Sequence, residues 1–100
     1  MITWHVEGAD DGADLCSYTF MTDVLNWAAD AAEAGGFACP TLLKQSPWEG
    51  GWSADQARAL ADELALLLAG EAPTNYRGVL ESMQEVAAAA MAARRGVEIT

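Results

Sequence analysis

The sequence predicts an α+β fold made of an N-terminal β-hairpin, three α-helices packed on it and a short C-terminal strand that could join the hairpin. Two alternating segments near the N-terminus predict the hairpin, and three longer segments with apolar residues at helical spacing predict the helices. The chain has 100 residues, of which 52% are hydrophobic and 20% are charged. This composition is typical of one globular domain, here residues 1–100.

The hairpin is predicted by alternation in residues 2–7 and 15–20, with a turn-forming stretch of glycines and acids between them. One register places every large apolar side chain on the same face. In that register the facing pairs are Ile2–Phe20, Trp4–Tyr18 and Val6–Cys16. The competing interpretation is that Tyr18–Met21 already begins the first helix.

The first helix is predicted to begin at Thr22 as N-cap, with Asp23 in the first turn, where the helix dipole favours an acid. Gly35-Gly36 is expected to end it. Residues 37–47 contain two prolines and are predicted to be a connector, with a short edge strand near Cys39 or Leu42 as a further option.

A capping box, Ser-Ala-Asp-Gln, predicts that Ser53 begins the second helix and that Gly70 ends it. The third helix is expected from about Asn75 to Arg95, with Gly96 as its stop. Residues 97–100 alternate and could form the last strand. The expected shared core is Trp4, Val6, Tyr18, Leu25, Leu60, Leu64, Met83 and Val86.

Charge is distributed unevenly along the chain. The net charge is −10, and residues 1–43 contain seven acids and neither Lys nor Arg. This pattern disfavours direct binding to nucleic acid, because phosphates would be repelled, and it favours a basic protein partner. Plain solubility explains the same charge. The residues assigned to a partner-binding surface are Asp10, Asp11, Asp14, Asp23, Asp30, Glu33 and Trp48.

Two tryptophans flank Gly50-Gly51. Trp52 immediately precedes the Ser53 cap and is expected to be buried as a structural residue. Trp48 follows a proline and lies on no periodic face, so burial and exposure are equally compatible with the sequence. An exposed Trp48 would be a good interface anchor.

No catalytic, cofactor or metal motif stands out. His5 and Cys16 fall on opposite faces of the predicted hairpin, the acids of residues 7–14 lack the spacing of a calcium loop, and Gly50-Gly51 has no phosphate-binding lysine. Both cysteines are expected to be free thiols. We therefore expect no enzyme, no cofactor and no metal. The sequence also has neither an apolar run of membrane-spanning length nor a signal-like N-terminus, which favours the cytoplasm.

The function that this pattern suggests is that of a small acidic inhibitor, which masks a basic, nucleic-acid-handling partner such as a nuclease or a nucleoprotein complex. An immunity protein of a nuclease-type toxin and a phage anti-defence or anti-CRISPR protein both fit. The alternative is a self-associating regulatory or interaction subunit without an inhibitory role. Residues 87–93 are rich in alanine, which favours either a homodimer seam or simply a stable helix.

Overall fold

The computed structural model describes residues 1–44 and 50–100, which form an α+β fold with a four-stranded antiparallel sheet. The predicted hairpin, the three long helices and the C-terminal strand are all present, so the fold class is confirmed. In chain order the elements are β1 (Ile2–Val6), β2 (Gly12–Cys16), α1 (Tyr18–Gly35), α2 (Pro40–Lys44), β3 (Gly51–Trp52), α3 (Ala54–Ala69), α4 (Thr74–Ala93) and β4 (Val97–Ile99).

The C-terminal strand β4 holds the sheet together. The strand order is β2-β1-β4-β3, so β4 lies between the hairpin and the short strand β3. Val97 pairs with Val6 of β1 on one side and with Trp52 of β3 on the other. Both Val97 and Ile99 are buried, whereas Glu98 between them is partly exposed. The last strand is thus a central strand with one face toward the core.

The predicted hairpin register is wrong, because β2 ends at Cys16 and the N-cap of α1 lies five residues before Thr22. Ser17 is the N-cap, and its hydroxyl accepts a hydrogen bond from the N–H of Phe20. Cys16 therefore pairs with Ile2, and Trp4 pairs with Ala13. The Thr22 hydroxyl donates to the Tyr18 carbonyl inside the helix instead of capping it. The competing helical interpretation of residues 18–21 is confirmed.

The connector contains a short helix, α2, instead of an edge strand near Cys39 or Leu42. Pro40 is its first residue, a position where the missing N–H of proline costs nothing. The following N–H groups of Thr41 and Leu42 donate to the carboxylate of Glu63 in α3. A side chain distant in sequence thus stabilises this helix, which is why local pattern did not indicate it.

Most of the predicted core is confirmed. Trp4, Leu60, Leu64 and Met83 are buried, and Val6, Leu25 and Val86 are partly buried against them. Tyr18 is the exception, because its position in the first turn of α1 leaves it 52% exposed.

The ends of α3 follow the expected chemistry, whereas the end of α4 differs from the prediction. The capping box of α3 is present, with Ser53 and Gln56 each bonding to the other's backbone N–H, and α3 ends before Gly70 as predicted. The left-handed residue that closes α4 is Arg94, with φ 56°, whereas Gly96 was expected to stop the helix. Gly96 instead lies against β3, where a Cβ would be 2.1 Å from the Trp52 carbonyl oxygen.

Candidate protein-binding surface

The hairpin loop presents two of the predicted partner-binding acids. Asp10 and Asp11 lie between β1 and β2, and both are exposed. Asp14 is also exposed but lies within β2, where its Oδ1 accepts a hydrogen bond from the Thr3 hydroxyl at 2.7 Å. Asp14 is thus part of the hairpin's own bonding, whereas the two loop acids contact solvent.

The first helix presents the other three acids. Asp23, Asp30 and Glu33 are all exposed on α1. Their spacing of seven and three residues places them along one side of the helix. Asp23 lies in the second turn, because the helix begins at Tyr18, so its predicted role in the first turn is wrong. The last turn of α1 contains no base, and the negative end of the helix dipole adds to the charge of Glu33 there.

Little in the described structure neutralises these acids. Among the side chains of residues 1–44 and 50–100 that the structure describes, the one ion pair joins His5 Nε2 and Glu98 Oε2 at 3.5 Å. Arg77 donates to the carbonyls of Leu68 and Gly70 at the end of α3. Arg95 donates to the Glu7 carbonyl at 3.3 Å, which places one cation beside the hairpin turn. The helix α1 contains three exposed acids and no base, so it presents net negative charge to an approaching protein.

The predictions for the two tryptophans around Gly50-Gly51 have different outcomes. Trp52 is buried, as predicted, with 4% of its surface exposed. Its indole N–H donates to the Thr41 carbonyl at 2.9 Å, and its ring lies 4.7 Å from that of Trp4. Trp52 thus joins the sheet to α2. Trp48 lies outside the described residues, so its assignment to the binding surface stays a prediction.

An apolar groove runs between the C-terminal half of α1 and α2, beside the acids of α1. We call it the α1–α2 groove, and its volume is about 440 Å³. Leu43 at its edge is 38% exposed. The residues that define the groove are Ala29, Ala32, Glu33, Phe37, Cys39 and Leu43. The sequence indicated the acids of this region but not the groove, because the groove depends on where α2 packs.

Glu63 is a buried acid for which the sequence pattern predicts no functional role. It is 7% exposed, and its two oxygens accept hydrogen bonds from the N–H groups of Thr41 and Leu42. Its position three residues after Leu60 and four before Leu67 is the available sequence signal, because that spacing places it on the buried face of α3. The carboxylate is fully engaged with α2, so its role is structural.

The two cysteines have the wrong environment for a nucleophile. Cys16 and Cys39 are both free and buried. Burial raises the pKa of the Cys16 thiol above its ordinary value. Burial, and then the nearby charge of Glu63, raise the pKa of Cys39 to about 11. A reactive cysteine needs a lowered pKa, so neither thiol suits covalent catalysis. His5 pairs with Gly12 and Cys16 with Ile2, so these two side chains are not cross-strand partners.

Within the described parts of the chain, no group of three or more His, Cys, Asp and Glu side chains is arranged to hold a metal ion. None of the helices there combines the length and the apolar character that crossing a membrane requires. No known family model matches the sequence, and neither the curated proteins nor the solved structures compared with it show significant similarity.

Proposed function

We propose that this protein is a small acidic inhibitor, which acts in the cytoplasm by masking the nucleic-acid-binding surface of a basic partner protein. The observation that carries the proposal is the exposure of all six acids in question, on the hairpin and α1, in a half of the chain that contains neither Lys nor Arg up to residue 43. The proposal assigns the protein no catalytic activity and no cofactor.

The partner's class follows from complementary charge. A protein that handles nucleic acid concentrates Lys and Arg where it contacts phosphates. A rigid surface of carboxylates can occupy the same Lys and Arg, and the attraction between opposite fields speeds the encounter. The acids of α1 lie on a stable 18-residue helix, which supplies the rigidity. Occupying those cations excludes the nucleic acid, and inhibition results from that competition.

Two biological settings fit this proposal equally. One is an immunity protein that neutralises a nuclease-type toxin, and the other is a phage protein that blocks a host nuclease or a CRISPR complex. The acidic surface supports both, since each target must bind phosphates. Neighbouring genes, a toxin gene or a phage operon, would separate the two settings.

The alternative is a self-associating regulatory subunit. Its support is the C-terminal part of α4, where Met91 is 41% exposed and Ala89, Ala92 and Ala93 are exposed as well. Small side chains allow a second helix to approach closely. Sedimentation equilibrium between micromolar and millimolar concentration tests this alternative. The self-association alternative predicts that the protein forms a dimer and that Met91→Glu dissociates this dimer.

The inhibitor proposal is tested by capturing partners from the native host on immobilised protein, with and without competing DNA or RNA. We expect captured proteins of high pI that nucleic acid releases from the column. Their nucleic-acid binding or cleavage should fall as this protein is added. A captured partner that binds DNA or RNA simultaneously with this protein would contradict the proposal.

A further inference from the structure

We propose that the α1–α2 groove holds an apolar side chain of the partner, from a segment that carries Arg or Lys immediately beside it. The inference rests on the proposed function, because the partner is taken to be basic. It adds the point of contact and the chemistry of the contacting segment. The groove accepts the partner's apolar side chain, and the acids at the edge of the groove attract the Arg or Lys beside that side chain.

The groove is open to solvent and has the apolar lining of an anchor site. Ala29 and Ala32 contribute only methyl groups to the lining, and Phe37 and Leu43 contribute larger apolar side chains, around a volume of about 440 Å³. Phe37 is partly buried against the core and fixed by its backbone N–H, which donates to the Ala32 carbonyl at 3.0 Å. Preformed apolar pockets of this kind hold the few side chains that dominate binding energy at protein interfaces.

Charge at the edge of the groove selects a cation. Glu33 lines the groove, and Asp30 lies one turn before it on the same helix. The carbonyl end of α1 adds partial negative charge, and its last turn contains no base. A segment with an apolar side chain next to Arg or Lys matches both features, whereas an acidic segment would be repelled.

Among the described residues that line the groove, Glu33 is charged and the others are uncharged. The raised pKa of Cys39, about 11, keeps its thiol protonated at neutral pH. The carboxylate of Glu63 behind it is already occupied by the N–H groups of Thr41 and Leu42. A cation therefore gains little by entering the floor, which favours an apolar side chain inside and the cation outside.

The test uses three capped hexapeptides with alternating residues: Leu-Arg, Ala-Arg and Leu-Glu repeats. Each is titrated into the ¹⁵N-labelled protein while the amide resonances are followed. The Leu-Arg peptide should shift the amides of Ala29, Phe37 and Leu43 saturably. The Ala-Arg peptide should shift mainly the amides of exposed acids, and the Leu-Glu peptide should shift neither set.

Two Ala→Trp variants on exposed helix positions make the test specific. Ala29→Trp places an indole in the groove and should weaken Leu-Arg binding about tenfold or more, as expected when an anchor is excluded from its pocket. Ala65→Trp, on the exposed side of α3, should leave the affinity unchanged. Equal binding of the Leu-Arg peptide by the wild type and Ala29→Trp would overturn the inference.

Three further outcomes complete the test, and the last two separate this inference from the proposed function. Groove resonances that shift with protein concentration before any peptide is added would identify a second copy as the occupant and overturn the inference. A basic partner that binds Ala29→Trp as tightly as the wild type would overturn the groove inference and leave the inhibitor function standing. Saturable groove binding by the Leu-Arg peptide, together with a captured partner that is not basic, would support the groove and contradict the function.

Discussion

The Oε1 atom of Glu63 lies 3.0 Å from the backbone nitrogen of Leu42 and accepts its hydrogen bond. Both oxygens also accept from the N–H of Thr41, at 3.1 and 3.2 Å. A buried carboxylate of α3 thus satisfies the free N–H groups at the start of α2 and meets the positive end of that helix. Because α2 forms one side of the α1–α2 groove, this link positions part of the candidate binding surface.

Removing the Glu63 carboxylate should destabilise the protein. Glu63→Ala leaves the N–H groups of Thr41 and Leu42 without their acceptor, and hydrogen bonds to charged groups contribute about 1.5–3 kcal/mol. Glu63→Gln retains one acceptor oxygen and should lose less. Urea unfolding measures the stability of both variants. The control is Asp62→Ala, an exposed neighbour, whose free energy of unfolding should stay within about 0.5 kcal/mol of the wild type. Equal stability of Glu63→Ala and Asp62→Ala would contradict the assigned role.

The second prediction compares two leucines of the same helix. Leu64 is fully buried, and Leu66 is 50% exposed. Leu64→Ala should lower the free energy of unfolding by about 2–5 kcal/mol, the range for buried leucines. Leu66→Ala removes the same atoms from a half-solvated position and should cost less than about 1 kcal/mol. A loss under half a kcal/mol for Leu64→Ala would contradict the packing of α3.

The third prediction concerns Gly51, one of the two glycines between the tryptophans. A Cβ there would be 2.3 Å from the Val97 carbonyl oxygen, so Gly51→Ala should push β3 away from β4 and destabilise the protein. Gly78 in α4 has nothing within 4 Å of a Cβ, so Gly78→Ala should stabilise by about 0.5–1 kcal/mol. Thermal unfolding should therefore shift in opposite directions. A Gly51→Ala protein as stable as the wild type would contradict the β3–β4 pairing.

The fourth prediction concerns the thiols and pH. A disulfide reagent should count two free thiols after unfolding and react slowly with the native protein, because both are buried with raised pKa values. Unfolded Cys39 ionises near its ordinary value of 9.0, whereas the folded thiol ionises near 11. The protonated thiol therefore favours the folded state fully below pH 9, and this stability is lost as pH rises toward 11.

Cys39→Ala is the matched variant for that pH dependence, and it should make the decline in stability between pH 9 and 11 shallower. A thiol count of zero in non-reducing buffer, without a covalent dimer, would contradict the prediction and indicate a Cys16–Cys39 bridge.

The elements with local signals could be predicted from the sequence, and those fixed by distant contacts could not. Ser53 and Gln56 lie within one turn of each other, so the start of α3 was predicted correctly. Both Ser17 and Thr22 can cap a helix, and the apolar residues between them fit a strand and a helix alike. The earlier cap forms in the structure, which shortens β2 and shifts the hairpin register.

The candidate surface also combines features with local sequence signals and features fixed by distant contacts. The exposed acids of the hairpin and α1 were predicted individually from charge and helical spacing. The α1–α2 groove was not, because α2 depends on Glu63, Thr41 and the indole N–H of Trp52, which are brought together only by tertiary packing. Trp48 lies outside the described residues, so its contribution to binding stays a prediction.

The central claim is that the acids of the hairpin and α1 bind a basic partner, and a combined charge reversal tests it most directly. We choose Asp11→Lys, Asp23→Lys and Asp30→Lys together, and we leave Asp14 in place because it accepts the Thr3 hydroxyl. The matched control reverses the same number of exposed acids in the other half of the chain, with Asp62→Lys, Glu71→Lys and Glu81→Lys. Circular dichroism checks that both variants retain the fold.

The deciding measurement is the association rate of each protein with the partner captured from the host, at salt concentrations from about 0.05 to 0.5 M, over which the Debye length falls from about 14 to about 4 Å. The hairpin and α1 variant should associate more than about tenfold more slowly than the control at low salt, because long-range fields act on the encounter. The difference should shrink as salt rises. Equal association rates for the two variants at low salt, with both folded, would contradict the claim that this acidic surface binds the partner.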